Sequence, residues 1–125
     1  MTKKILIVDD ERDIVTVLKM ALERKDFKVF EANDGLSAID MIEKEKFDLI
    51  ILDIMMPKFD GNSVNMRLKS REETAKIPVI IITGRGDVKK TIAEIKKELN
   101  IEAYLEKPFA VSMLIEKINE IFEKK

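Results

Sequence analysis

Three short stretches of the chain are apolar at every position, and they constrain its fold more than any other feature. They are ILIV at 5–8, LIIL at 49–52 and VIII at 79–82. Apolar runs of this length, rich in β-branched residues, are typical of strands that are buried on both faces, as in parallel sheets. We therefore predict that these three segments form the centre of a parallel sheet.

Two further segments, KVFEA at 28–32 and AYLEK at 103–107, contain fewer apolar residues and are predicted as edge strands. Five other segments carry apolar residues at the 3.6-residue period of an α-helix. Those residues are Ile14, Val17, Leu18, Ala21 and Leu22; Ala38, Ile39 and Ile42; Val64 and Leu68; Val88, Ile92, Ile95 and Leu99; and Val111, Leu114, Ile115, Ile118, Ile121 and Phe122. Strands and helices thus alternate along the chain.

Strict alternation of strand and helix predicts an α/β fold with a parallel sheet and right-handed crossovers. With strands two and five at the edges, the strand order becomes 2-1-3-4-5, which is the flavodoxin-like doubly wound (βα)5 arrangement with helices on both faces of the sheet. No linker, repeat or low-complexity segment interrupts the pattern, so we predict one domain over residues 1–125.

The composition excludes several classes of function. The 23 Lys and Arg residues nearly balance the 24 Asp and Glu residues, so we expect no direct contact with nucleic acid. The chain contains no Cys and no His, which removes thiolate chemistry and the commonest general base. No apolar run approaches the roughly 20 residues of a membrane span, and the N-terminus does not resemble a signal peptide. We expect a cytoplasmic protein without a membrane partner.

Polar residues stand where four of the predicted strands end. Asp9 and Asp10 follow the first strand, Asp53 follows the third, Thr83 the fourth, and Lys107 ends the fifth. Ligands of doubly wound sheets bind outside the carboxyl ends of the strands, so we expect these five side chains to share one site. Each also has an ordinary structural interpretation, as a helix cap, a strand residue or a solvated loop lysine.

This combination of residues suits phosphoryl transfer. Three clustered carboxylates repel one another, and a divalent cation such as Mg²⁺, Mn²⁺ or Ca²⁺ relieves that repulsion with oxygen ligands. A lysine ammonium and a threonine hydroxyl can contact phosphate oxygens, and a carboxylate can attack phosphorus to form an aspartyl phosphate. Such reactions depend mainly on positioning and on neutralising charge.

Four motifs resemble those of the receiver domains of bacterial two-component response regulators. They are ILIVDDE, LIILDIMMPKFDG, PVIIITG and AYLEKPF, in the order and spacing of that family. The resemblance covers nearly the whole chain and extends to the single-domain chemotaxis regulators. It implies a phosphoprotein of phosphorelay signal transduction, which is not a conventional enzyme but catalyses its own phosphorylation and dephosphorylation.

The resemblance also implies a role for each site residue. Asp53 would be the phosphoacceptor, and Asp10 would bind Mg²⁺ directly while Asp9 acts through a metal-bound water. The backbone carbonyl of Met55 would complete the protein ligands, and Lys107 would contact the phosphoryl group.

Two further residues would report the reaction to partners. By the resemblance, Thr83 is the switch hydroxyl and Tyr104 the switch aromatic residue, and they would reshape the surface of the fourth predicted helix, the fifth strand and the fifth helix for a downstream output protein. The phosphoryl donor would be a sensor histidine kinase or a histidine phosphotransfer protein. We expect Ile14, Val15 and Pro108 to meet that donor.

Three other functions stay open at this point. A phosphatase of the haloacid-dehalogenase type would need a second Asp two residues after the nucleophile of strand one, where this chain has Glu11 or Arg12. A flavodoxin-type nucleotide or flavin binder would need a loop rich in Ser, Thr or Gly after strand one, where this chain has acidic residues. A receiver-like module that is never phosphorylated would not need the acidic residues and Lys107.

Overall fold

The computed structural model of the chain describes residues 2–54, 56, 61–84, 93 and 100–123. Five parallel strands form one sheet in the order β2-β1-β3-β4-β5. Their bounds are Lys4–Val8 for β1, Lys28–Ala32 for β2, Leu49–Asp53 for β3, Val79–Thr83 for β4 and Ile101–Glu106 for β5. The predicted strand order, including both edges, is confirmed.

Five helices accompany the sheet within the described residues. They are α1 at Arg12–Glu23, α2 at Gly35–Lys44, α3 at Gly61–Lys69, the short α4 at Glu72–Ala75, and α5 at Val111–Glu123. The sequence did not predict α4, because its four residues are too few to show an apolar period. The predicted helix over residues 88–99 lies almost wholly outside the described residues.

Alternate residues of the strands pack against helices on opposite faces of the sheet. On β1, Ile5 and Ile7 belong to a core cluster with α1 and α5, whereas Leu6 and Val8 belong to a cluster with α2 and α3. Because both faces are covered, β3 and β4 are buried at every residue. This double coverage explains why their sequences are apolar without alternation.

The fifth strand begins two residues earlier than predicted. Val79 pairs with Ile101, but Ile80 pairs with Ala103, so the register shifts by one residue at Glu102. A bulge of this kind inserts one extra residue in one strand of a pair. It interrupts the apolar pattern of Ile101–Glu106, and this hid the start of the strand.

The structure reverses the predicted roles of two valines of α1. Val15 is buried with Leu18 and Leu22, because positions three and seven residues apart lie on one helix face. Val17, predicted as part of the apolar core stripe, is 53% exposed. The expectation that Val15 faces a partner therefore does not fit its position in the core, and Val17 carries the exposed apolar surface instead.

Candidate functional site

Backbone hydrogen bonds hold the site residues in place just beyond the strands. Asp9 N donates to Ala32 O at 3.1 Å, which extends the β1–β2 pairing by one residue. Lys107 N likewise donates to Thr83 O at 2.7 Å after the end of β5. Asp53 is the last residue of β3 itself. These four residues are distant in sequence, and the sheet brings them to one edge.

Buried polar side chains mark this edge of the sheet. Among the described residues, the buried polar or charged ones are Asp9, Asp53 and Thr83, at 1%, 2% and 0% exposure. Burying such groups costs free energy unless partners compensate for the lost water. Because they lie at neighbouring strand ends, their burial indicates one functional site rather than three unrelated packing arrangements.

The ammonium group of Lys107 lies among three carboxylates. Its Nζ is 2.6 Å from Glu11 Oε1, 3.0 Å from Asp9 Oδ2 and 3.1 Å from Asp53 Oδ2. Burial disfavours the charge on Lys107, but the contacts with Glu11, Asp9 and Asp53 outweigh burial and raise the pKa of the ammonium above its usual value. Lys107 is therefore a permanent positive charge at the site.

Asp9 titrates nearer to neutral pH than an ordinary aspartate. Burial raises the pKa of Asp9 from 3.8 to about 6, and the charge of Asp53 adds to this effect. A hydrogen bond from Glu11 N to Asp9 Oδ1 at 2.9 Å and the contact with Lys107 lower the pKa, but burial is the larger influence. A proton consequently competes with any cation for Asp9 at mildly acidic pH.

The carboxylates of the site fit a hard divalent cation. Asp9, Asp10 and Asp53 each offer an oxygen, and these oxygens lie within 4.8 Å of one another. Asp10 is exposed while the other two are buried, so the cluster opens to solvent on one side. Lys107 balances only part of the negative charge, and an all-oxygen ligand set favours Mg²⁺ or Mn²⁺ over softer metals. Met55, whose carbonyl was predicted as a further ligand, lies outside the described residues.

Thr83 and Tyr104 lie on neighbouring strands, Thr83 at the end of β4 and Tyr104 on the edge strand β5. Thr83 Oγ1 is fully buried and has no hydrogen-bond partner within the described part of the chain. Tyr104 lies on β5 opposite Ile81 of β4, and half of its surface is exposed. The hydroxyl of Thr83 thus makes no hydrogen bond with the described residues, and the ring of Tyr104 lies on the edge strand β5.

An apolar groove lies beside the acidic cluster, between α1 and the loop that follows β5. Its volume is about 540 Å³, and Ile14, Val17, Pro108 and Phe109 are among the residues that line it. Lys107 lies at the same groove, and the Lys107–Pro108 peptide bond is cis. The groove therefore brings an apolar surface directly to the ammonium of the site.

Sequence reasoning did not include Glu11 among the site residues. Its carboxylate makes the shortest of the three contacts with Lys107, and its backbone N–H supports Asp9. Glu11 directly follows the Asp9–Asp10 pair, where the first strand leads into α1, so its position at the same rim was a usable signal.

Comparison with known proteins gives the family. A family model described as "Response regulator receiver domain" matches residues 5–119. The chain belongs to this family. The chain is 41% identical over 110 residues to the alkaline phosphatase synthesis transcriptional regulatory protein PhoP of Bacillus subtilis. The aligned segment covers 88% of this chain and 44% of PhoP. The chain is also 38% identical over 121 residues to the transcriptional regulatory protein CpxR of Escherichia coli, covering 97% of this chain and 50% of CpxR.

Solved structures agree with this assignment. The response regulator receiver domain protein (CheY-like) of Methanospirillum hungatei is 29% identical and superposes with a TM-score of 0.84, covering 99% of this chain and 96% of that one. The flavodoxin-like fold is therefore that of CheY-like receiver domains, and the receiver belongs to a two-component system.

Two predicted absences concern a nucleic-acid partner and a membrane span. The receiver spans about half the length of the curated relatives that it matches, and PhoP and CpxR are named as transcriptional regulators. The expectation of no nucleic-acid partner is therefore not supported. No helix in the described ranges is both long and apolar enough to cross a membrane.

Proposed function

We propose that this receiver domain accepts a phosphoryl group onto Asp53 from a phosphohistidine of a sensor kinase or phosphotransfer protein, in a Mg²⁺-dependent reaction. The observation that carries the proposal is the setting of Asp53. Its carboxylate is buried at a strand end, 3.1 Å from the ammonium of Lys107 and within reach of the oxygens of Asp9 and Asp10. Nucleophile and charge-neutralising groups thus share one site.

The proposed reaction uses Asp53 as a nucleophile. A carboxylate oxygen forms a bond to phosphorus while the bond from phosphorus to the donor imidazole breaks, and the electron pair returns to the imidazole nitrogen. Lys107 neutralises the charge of the transferred group, and the buried hydroxyl of Thr83 donates to one of its oxygens. The same groups stay in place for hydrolysis, so the chain would catalyse both its phosphorylation and its dephosphorylation.

Mg²⁺ would supply charge neutralisation at the phosphoryl oxygens. As the family resemblance implies, Asp10 would bind it directly, and its carboxylate is the exposed one of the three. Asp9 would act through a metal-bound water, and the carbonyl of Met55 would provide a further ligand. Weak, reversible binding is expected, since so few protein ligands are dedicated to the ion.

In the proposed signal, a movement of Thr83 affects Tyr104 on the edge strand β5. When Thr83 turns toward the phosphoryl group, space opens into which Tyr104 can rotate, and this changes the surface of β5, α5 and the predicted helix over 88–99. A ligand shifts an equilibrium only through its different affinities for the two states, so the unphosphorylated chain would populate both. An output protein would bind the phosphorylated form more tightly.

The apolar groove beside Lys107 is the proposed contact for the phosphoryl donor. Ile14, Val17 and Pro108 line it, and a partner seated there would bring its phosphohistidine to the open side of the acidic cluster. Val17 takes the place predicted for Val15, which is buried.

Intact mass spectrometry after incubation with acetyl phosphate and Mg²⁺ tests the proposal. The wild-type chain should gain one phosphoryl group, and Asp53→Asn should gain none at that position. Chelation of Mg²⁺ should abolish the gain in the wild-type chain. Equal labelling of the wild-type and Asn chains would refute the assignment of Asp53.

A further inference from the structure

Three carboxylates already compete for the Lys107 ammonium. Its Nζ donates hydrogen bonds to Glu11 and Asp53, and Asp9 Oδ2 lies 3.0 Å away as an ion-pair partner. A lysine ammonium carries only three N–H donors. A phosphoryl group on Asp53 brings further anionic oxygens that compete for the same ammonium, so we expect the partner that is held least firmly to release it.

Burial decides which partner can leave at the lowest cost. The side chains of Asp9 and Asp53 are 0% and 3% exposed, whereas that of Glu11 is 57% exposed. Separating a buried carboxylate from its cation leaves an uncompensated charge in a poorly solvated place. The Glu11 carboxylate returns to water instead, where its charge is solvated at once.

We propose that Glu11 is an exchangeable counter-ion of Lys107. It holds the ammonium in the unphosphorylated chain and gives it up to the phosphoryl group during transfer. The inference rests on the proposed phosphorylation of Asp53, and it makes Glu11 a positioning residue that acts through Lys107.

This exchange has a consequence for the two directions of the reaction. The Glu11–Lys107 contact stabilises the unphosphorylated chain, but it is absent both when the phosphoryl group is being transferred and when it is bound. Removing the contact therefore lowers the barrier to phosphorylation. The barrier to hydrolysis stays the same, because the contact is missing on both sides of that step.

The experiment compares three chains treated with acetyl phosphate and Mg²⁺: wild type, Glu11→Gln and Asp13→Asn. Asp13 is the acidic residue in the first turn of α1, and its replacement removes the same charge two residues away. Glu11→Gln should be phosphorylated about two- to fivefold faster than wild type, the range that an exposed ion pair allows. The decay rate of its phosphorylated form should be unchanged, and Asp13→Asn should stay near the wild-type phosphorylation rate.

A second measurement uses the unphosphorylated, metal-free chains. Acylation of Lys107 by an amine-selective reagent, followed by peptide mapping, reports how firmly the ammonium is held. Lys107 should react faster in Glu11→Gln than in wild type or Asp13→Asn, because Glu11 is its solvent-exposed partner.

Three outcomes would overturn the inference. Equal phosphorylation rates for wild type and Glu11→Gln would do so, as would equal acceleration in Glu11→Gln and Asp13→Asn, which would reduce the effect to net charge. Unchanged Lys107 reactivity would also overturn it. Each leaves the wild-type chain phosphorylated, whereas a wild-type chain that gains no phosphoryl group would refute the proposed function itself.

Discussion

At the scale of single residues, the chemistry of the site depends on how deeply each charged group is buried. Asp9, Asp53 and Lys107 are largely shielded from water, while Asp10 and Glu11 face it. The shielded groups interact strongly and are expensive to separate. The exposed groups exchange partners easily. The buried charges therefore hold a fixed arrangement, and the exposed charges leave the site accessible to ligands.

The raised pKa of Asp9 predicts a pH dependence of metal binding. Only the deprotonated carboxylate supports Mg²⁺, so the affinity should be constant well above pH 6 and should fall as the pH drops through about 6 and below, by up to tenfold for each pH unit. Titration calorimetry between pH 5 and pH 8 would measure this. Asp9→Asn should bind more weakly but lose the dependence near pH 6; an unchanged profile would show that another group titrates there.

Breaking the buried ion pairs of Lys107 should cost more than breaking an exposed one. Lys107→Met leaves Asp9 and Asp53 without their cation and should lower the free energy of unfolding by about 3 kcal/mol without metal. Lys4 pairs with Glu45 at 3.0 Å on the surface, so Lys4→Met should cost less than about 1 kcal/mol.

Urea unfolding of both variants, with EDTA and with Mg²⁺, would compare these costs. Mg²⁺ should restore part of the loss in Lys107→Met, because it replaces positive charge beside the same carboxylates. Equal losses in the two variants would show that the Lys107 network contributes no more than a surface pair.

Thr83 predicts a separation of stability from signalling. Its buried hydroxyl has no partner among the described residues, so Thr83→Val should leave the free energy of unfolding unchanged or raise it by up to about 1 kcal/mol. The variant should still be phosphorylated but should bind an output protein less tightly. Thermal unfolding and a phosphorylation-dependent binding assay would check the two parts; unaltered binding would remove Thr83 from the switch.

At the scale of elements, α1 has one face in the core and another beside the site. Val17 and Met20 are equally exposed on this helix, at 53% each, but Val17 lines the groove beside Lys107. Val17→Asp should slow phosphotransfer from the donor protein at least tenfold while sparing labelling by acetyl phosphate. Met20→Asp should affect neither reaction, and equal effects of both variants would place the donor elsewhere.

The elements also show what could be predicted from the sequence. The apolar runs of β3 and β4 identified buried strands, because both of their faces are covered and no alternation was needed. The bulge at Glu102 could not be predicted, since the register depends on the partner strand. Val17 was predicted in the core because it lies three residues after Ile14 and four before Ala21, which also fits a helical period. Glu11 was missed although it directly follows the Asp9–Asp10 pair, because its contact is with Lys107, far along the chain.

At the scale of the whole molecule, the doubly wound sheet explains why the site exists at all. Its strands run parallel, so the residues that follow them gather at one edge although they are distant in sequence. The described interior is otherwise apolar, and its buried polar groups are those of the site. The fold thus places its buried charges, which cost free energy, where the proposed phosphoryl group and metal ion would offset that cost.

Locating the phosphoryl group on the chain tests the central claim most directly. Borohydride reduces an acyl phosphate to an alcohol, so a phosphorylated aspartate becomes homoserine and can be identified by peptide sequencing. After treatment with acetyl phosphate and Mg²⁺, homoserine should appear at position 53 and not at Asp9 or Asp10. Homoserine at either of those positions, or at none while the intact mass shows a phosphoryl group, would contradict the claim that Asp53 is the phosphoacceptor.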